Sequence, residues 1–400
     1  MKVGEGDGRS AGGSGSEQPG LIAWRAGVPP RHGPFCRRRP RPGDAKHAPA
    51  EGQGPGGARC GEEEQADRQG AVEGASGLIR QALDEAAAGG VGAAGGHEGF
   101  GKPYDLPNMQ AYNETCASIG MDYWNHRLFL LDGDAKYIDI MERTLFNGLL
   151  SGVSLDGKTF FYPNPLESNG QHARSEWFGV ACCPGNITRF MASVPGYLYA
   201  TRGNDVYVNL YAGGTADIDT PDGQVKLVQD TRYPWDGAVT LTLDPSSARR
   251  FAVYLRIPGW ARNEVVPGDL YQFLDNAPPA VEISVNGAPV PTSIDKGYVT
   301  IDRRWQAGDR ITMNIPMPVR RVGAHPNVAA NRDRVALQRG PIVFAAEWPD
   351  NPNGQTRNIV LPDAQRLATE FRAELLNGVQ VIRGRAFGLA RTASGGTTRS

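Results

Sequence analysis

Two hydrophobic periods divide the chain. Between residues 114 and 153 apolar side chains recur every three or four positions, first in "ETCASIGMDYWNHRLFLL" (114–131) and again in "AKYIDIMERTLFNGLLSGV" (135–153). That spacing gathers them on one face of a helix. Asp132, Gly133 and Asp134 supply the turn between the two, so the stretch predicts an αα-hairpin. "LDGKTFFYPNPLES" (155–168) reads as a turn and then an aromatic extended segment. A further helix is expected through "GNITRFMASVPGYLY", with Pro184 in its first turn, where a missing N–H is harmless.

From about residue 204 the period becomes two. "DVYVNLYAG", "GQVKLVQD", "AVTLTLDP", "FAVYLRIPGW", "AVEISVNGAPV", "GYVTIDRRW", "DRITMNIPMPVRRV" and "VALQRGPIVFAAE" are strand candidates, separated by Gly, Pro, Asp and Asn. Their spacing argues for a β-sandwich region over 201–400, one sandwich or two. The tail, "LNGVQVIRGRAFGLARTASGGTTRS", is expected to hold one more strand and then fray. The fold class is therefore α+β and multidomain.

Residues 1–95 follow neither period, apart from one short helical pattern in "GLIRQALDEAAA". Gly, Arg, Ala and Pro dominate, as in "RRRPRPG" and "EGQGPGGARCGEEEQ". Such a segment buries too little apolar surface to offset its ordering entropy, so disorder is expected. A misplaced start or a shifted reading frame is the other explanation. The basic "CRRRPRP" is no nucleic-acid patch on this reading, because "GEEEQ" nearby offsets its charge.

The remaining composition narrows the partners. A formal net charge of −1 over 400 residues gives no global field toward nucleic acid or anionic membrane. No run of about 18 apolar residues is present to span a bilayer. The start shows no apolar signal region, and five cysteines make no disulfide framework. A reducing, cytoplasmic setting is expected.

Candidate chemistry lies in two short motifs. Glu114 and Cys116 stand two apart in "YNETCAS", and Cys182 and Cys183 stand side by side in "GVACCPGNITRF". Adjacent cysteines rarely bridge each other, because disulfide geometry is demanding. Both motifs sit at helix starts, where residues of the entering turn can converge. Three thiolates and a carboxylate suit a tetrahedral zinc site, and thiolates select zinc over magnesium or calcium. A helix N-terminus also favours thiolate over thiol. Spacing alone leaves a second reading equally open, that of three buried, inert thiols.

The run "ETCAS…NHR…ME…LFNG…SLDGKTFFY.NPLE…WFG.ACCP.NI.R" resembles glycoside hydrolase family 127, of the β-L-arabinofuranosidase type. The resemblance spans roughly residues 96–390. It implies that residues 96–200 are the C-terminal part of an (α/α)6-barrel catalytic domain. It also implies a retaining hydrolase that releases terminal β-L-arabinofuranose from a plant-derived glycan. By the family's pattern Zn2+ is held by Glu114, Cys116, Cys182 and Cys183. Cys182 is the nucleophile and Glu98, in "HEGFGKPYDLPN", the acid/base. Tyr162 matches a tyrosine that contacts substrate and nucleophile.

His97 flanks Glu98 and is a candidate to bind a sugar hydroxyl. Trp177 and Phe178 are candidates for the floor of the sugar site, or core. His126 is read as a packing residue, and Asn186-Ile-Thr188 as a chance match to a glycosylation acceptor. Residues 1–95 do not resemble the family's upstream helices. Two alternatives stay open on that ground: an inactive fragment with a structural zinc site, and a β-sandwich carbohydrate-binding module. A homodimer is a further candidate assembly.

Overall fold

The computed structural model describes residues 99, 101–347, 356–391 and 397–399. The expectations for residues 1–95 lie outside the described residues. Few helices and many strands make up the rest.

The predicted hairpin forms. α1 (Thr115–Asp132) ends at Gly133, whose left-handed φ of 70° is the conformation glycine adopts without strain. Asp134 then caps α2 (Ala135–Arg143), its side chain accepting from the Lys136 N–H at 2.9 Å. The second helix is not uniform: it widens into a π-helical turn (Thr144–Leu149) and closes as a 3-10 turn (Leu150–Gly152). Asn147 lies within that widened turn. It donates to the carbonyls of Arg143 (2.8 Å) and Pro341 (3.0 Å) and accepts from the Val343 N–H (2.8 Å). α3 (Cys182–Ser193) begins at the cysteine pair itself, with Pro184 in its first turn as expected.

The strands, in chain order, are β1 (Tyr199–Arg202), β2 (Asp205–Val208), β3 (Gly214–Thr220), β4 (Gly223–Thr231), β5 (Ala238–Pro245) and β6 (Arg249–Arg256). There follow β7 (Tyr271–Phe273), β8 (Glu282–Val285), β9 (Ala288–Pro289), β10 (Ile294–Asp295), β11 (Tyr298–Trp305) and β12 (Asp309–Asn314). A five-stranded sheet, β1-β2-β6-β11-β10, shares one core with a six-stranded sheet, β3-β4-β5-β12-β8-β9. Pairing is antiparallel except between β2 and β6.

Period-two alternation sets both faces of the five-stranded sheet. Val206, Val208, Val253, Leu255, Val299 and Ile301 enter the core between the sheets. Tyr207, Tyr254 and Tyr298 turn the other way and pack with Phe129, Ala135, Ile138 and Met141 of the helices. The helical layer thus rests on the outer face of the sandwich.

A buried ion network ties the two layers. Arg256 is 0 % exposed. Its guanidinium donates to Asp139 Oδ1 at 2.6 Å, to Glu142 and to the Asn209 carbonyl. Arg262 reaches Asp139 Oδ2 at 2.7 Å, and Tyr233 donates to Glu142 at 2.7 Å. Burial opposes charge on Arg256, but Glu142 and Asp139 outweigh it and hold its pKa well above the ordinary value.

A third sheet follows, β15-β14-β13-β7, using β13 (Val319–Ala324), β14 (Ala336–Arg339) and β15 (Ile342–Phe344). "DRITMNIPMPVRRV" is thus two strands in two sheets: Pro316 and Pro318 cannot donate to a ladder and end β12. The tail holds more strands than the single one expected. Ala368–Arg372 pairs with Val379–Arg383, and Phe387–Arg391 pairs with both Ile359–Val360 and Thr397–Arg399.

Candidate metal centre

Two helix N-termini meet at the motif residues. Glu114 occupies the N-cap position of α1 but makes no capping hydrogen bond with its side chain. Its carboxylate turns to the cysteines instead, with Oε1 3.5 Å from Cys182 Sγ and 3.8 Å from Cys183 Sγ. Cys116 lies in the first turn of α1, and Cys182 and Cys183 open α3. Cys116 Sγ is 3.2 Å from Cys183 Sγ, and Cys182 Sγ is 3.7 Å from it. All four donor atoms lie within 4.8 Å of one another. The three thiols are free, at distances far beyond a disulfide bond of about 2.05 Å.

The four residues therefore form a group able to hold a metal ion. Without one, burial pushes the Cys116 thiol up to about 11, and burial pushes Cys183 further still. The pair differ in access: Cys183 is buried, 0 % exposed, whereas Cys182 is half-buried.

Neighbouring backbone fixes this geometry. The Thr115 N–H donates to the Tyr162 carbonyl at 3.2 Å, and Thr115 Oγ1 donates to the Phe161 carbonyl at 2.9 Å. The aromatic segment is thereby hung on the residue between Glu114 and Cys116. The Tyr162 ring meets Tyr112 and Phe178 edge-on, at centroid distances of 6.1 and 5.6 Å. Trp177, the other expected floor residue, is 68 % exposed. His126 packs edge-on to Tyr197 at 4.7 Å, in keeping with a packing role. Glu98 and His97 lie outside the described residues.

Gly152 presses on the same point. A Cβ there would stand 2.7 Å from Thr115 Oγ1 and 2.8 Å from its Cγ2, and Thr115 is fully buried. Gly152→Ala is expected to lower stability by about 1–3 kcal/mol and to weaken metal binding by displacing the start of α1. Urea unfolding and a metal titration of the variant check both effects.

Comparison with known proteins sets this fold and cluster in a class. Residues 85–196 match the β-L-arabinofuranosidase GH127 catalytic domain, residues 205–317 its middle domain and residues 319–382 the family 127 C-terminal domain. The chain belongs to glycoside hydrolase family 127. It is 36 % identical over 315 residues to the non-reducing end β-L-arabinofuranosidase of Bifidobacterium longum subsp. longum, covering 74 % of this chain and 44 % of that protein. A solved GH127 β-arabinofuranosidase is 47 % identical, with a TM-score of 0.76 over 78 % of this chain and 49 % of its own. A GH127 β-L-arabinofuranosidase from Geobacillus stearothermophilus T6 is 40 % identical, with a TM-score of 0.70 over 78 % of this chain and 50 % of its own. The chain thus spans about half the length of these relatives.

Proposed function

We propose that the chain is a retaining glycosidase acting on terminal β-L-arabinofuranosyl units of a plant-derived glycan, with Zn2+ held by Glu114, Cys116, Cys182 and Cys183. The observation that carries the proposal is the convergence of these four donor atoms within 4.8 Å. Their spacings suit zinc. With zinc–sulfur bonds of about 2.3 Å and zinc–oxygen bonds of about 2.1 Å, tetrahedral edges are about 3.8 Å between sulfurs and about 3.6 Å from sulfur to oxygen. The 3.7 Å Cys182–Cys183 edge and the 3.5 and 3.8 Å edges to Glu114 fit. The 3.2 Å Cys116–Cys183 edge would open slightly, and the longest donor separation, up to 4.8 Å, would close.

When bound, zinc would hold the cysteines as thiolates at neutral pH. The chain's residues then divide the chemistry. The half-buried Cys182 attacks the anomeric carbon as the glycosidic C–O bond breaks. Glu98 gives its proton to the departing oxygen. Glu98, now a carboxylate, takes a proton from water, which attacks the anomeric carbon as the C–S bond breaks and the thiolate returns. Two displacements retain configuration. By the family resemblance Tyr162 contacts the sugar, with Trp177 and His97 as further sugar contacts. On the family resemblance the helical layer is the C-terminal part of an (α/α)6 barrel. The setting proposed is cytoplasmic, with a sugar as partner and neither nucleic acid nor membrane. No helix among the described residues is long and apolar enough to cross a membrane.

Elemental analysis is expected to find about one zinc per chain; a folded chain with no metal overturns the proposal. The pH dependence has a definite sign. In the metal-free chain the folded Cys116 and Cys183 thiols hold their protons more tightly than unfolded ones, because burial disfavours the thiolate. Their stabilisation is present below the ordinary value of 9.0 and is lost as pH rises toward 11. Zinc binding works in the opposite sense, releasing protons and failing in acid. Unfolding midpoints measured from neutral to alkaline pH should therefore fall for the metal-free chain and hold for the zinc-loaded one.

A further inference from the structure

One contact at the cluster comes from a residue outside the donor set. Asn186 lies one turn after the cysteine pair on α3, and its Nδ2 donates to Cys116 Sγ on α1 at 3.2 Å. Arg189, a further turn along, donates from Nη1 to Asn186 Oδ1 at 3.1 Å. A guanidinium only donates, so the atom facing it must be the amide oxygen, and the amide nitrogen is left toward sulfur. The orientation of the amide is thus fixed by chemistry. The Asn186-Ile-Thr188 pattern is then no glycan acceptor, because the nitrogen a glycan would use is turned to the sulfur.

We propose that Asn186, oriented by Arg189, is a positioning residue of the metal centre: it fixes the Cys116 sulfur against α3 and draws electron density from it. This rests on the metal-centre reading above. Two consequences follow from the geometry. First, the bond joins the helix carrying Cys182 and Cys183 directly to the helix carrying Cys116, so the separation of the donors depends on it. Second, an N–H donor on one sulfur lowers that sulfur's donation to a metal. The remaining thiolates must then supply more of the charge, and Cys182 is among them. Outer partners of metal ligands hold those ligands in place, and their removal costs about 10–100-fold in affinity or activity.

The test uses the full chain loaded with cobalt(II), whose sulfur-to-metal charge-transfer absorption reports thiolate electronics independently of turnover. In Asn186→Ala the band is expected to move to lower energy, because a sulfur without its N–H donor gives up an electron more readily. Cobalt affinity is expected to fall at least about tenfold. Asn186→Asp should weaken cobalt further, since a carboxylate would oppose the thiolate. Arg189→Met alters an exposed side chain and should shift the band in the same direction by less. It keeps the test open if circular dichroism shows that an Asn186 variant has lost its helices. Wild-type chain that binds cobalt, with variants unchanged in band and affinity, overturns this inference alone. Wild-type chain that takes up no cobalt overturns the metal-centre reading and this inference with it.

Discussion

Arg256→Leu is expected to destabilise the chain by about 3–5 kcal/mol, the cost of removing one partner from a buried ion pair. The variant leaves Asp139 and Glu142 facing each other's charge, with Arg262, 17 % exposed, still paired to Asp139. It also orphans the Asn209 carbonyl and removes the Glu142 contact that closes β6 against α2. Lysine would not restore the network, because one ammonium cannot reproduce a fork that reaches three acceptors. Adding Glu142→Gln to Arg256→Leu should recover part of the loss, as one uncompensated charge is removed. Urea unfolding with a double-mutant cycle measures both. A loss below about 1 kcal/mol, the range of an exposed ion pair, would show that the tyrosine layer alone holds the helices to the sandwich.

The second large effect is at Cys183. This sulfur is fully buried and lies within 3.8 Å of each of the other three donor residues. Cys183→Ser replaces an anionic ligand by a neutral hydroxyl at the centre of the set. Zinc affinity is expected to fall by more than about a hundredfold, beyond the upper end of what outer-shell changes produce. The zinc-dependent stabilisation should vanish with it. At free zinc a hundred times the dissociation constant, the wild type gains about 2.7 kcal/mol, and the variant should gain almost none. Cys182→Ser should behave differently, retaining metal through Glu114, Cys116 and Cys183. Competition titrations against a chelator separate the two. Equal, small losses in both variants would return the cysteines to inert packing.

What the sequence displayed and what it hid have physical causes. The αα-hairpin was legible because Asp134 and Gly133 punctuate two helical stretches, of which the second is clearly amphipathic whereas the first buries polar Thr115, Ser118, Asp122 and Asn125. The widening at Thr144 was not, since it answers to Asn147's bonds with Pro341 and Val343, almost two hundred residues away. β3 escaped notice because Asp217 and Asp219 mask its pattern, although Ala216 and Ile218 alternate inward as a strand requires. The cluster was visible as chemistry at two helix starts, and the family's run of residues favoured the metal reading over the inert thiols that spacing left equally open. Arg256 gave no sign of its role: its carboxylate partners lie 114 and 117 positions away. Asn186 was read only as part of an acceptor pattern, yet its i+4 spacing from Cys182 was the available signal.

The central claim is that Cys182, in a zinc-thiolate centre, is the nucleophile of a glycosidase. The most direct measurement is peptide mapping by mass spectrometry after the zinc-loaded chain is treated with an electrophilic β-L-arabinofuranose mimic, a haloacetamide or cyclophellitol type. A single adduct on Cys182, absent from zinc-stripped protein, is the predicted result. An adduct on Cys183 would reverse the roles of the pair, and one on Glu114 would point to two-carboxylate chemistry. A zinc-loaded chain that stays unlabelled would contradict the claim and leave the metal as a structural bolt between α1 and α3.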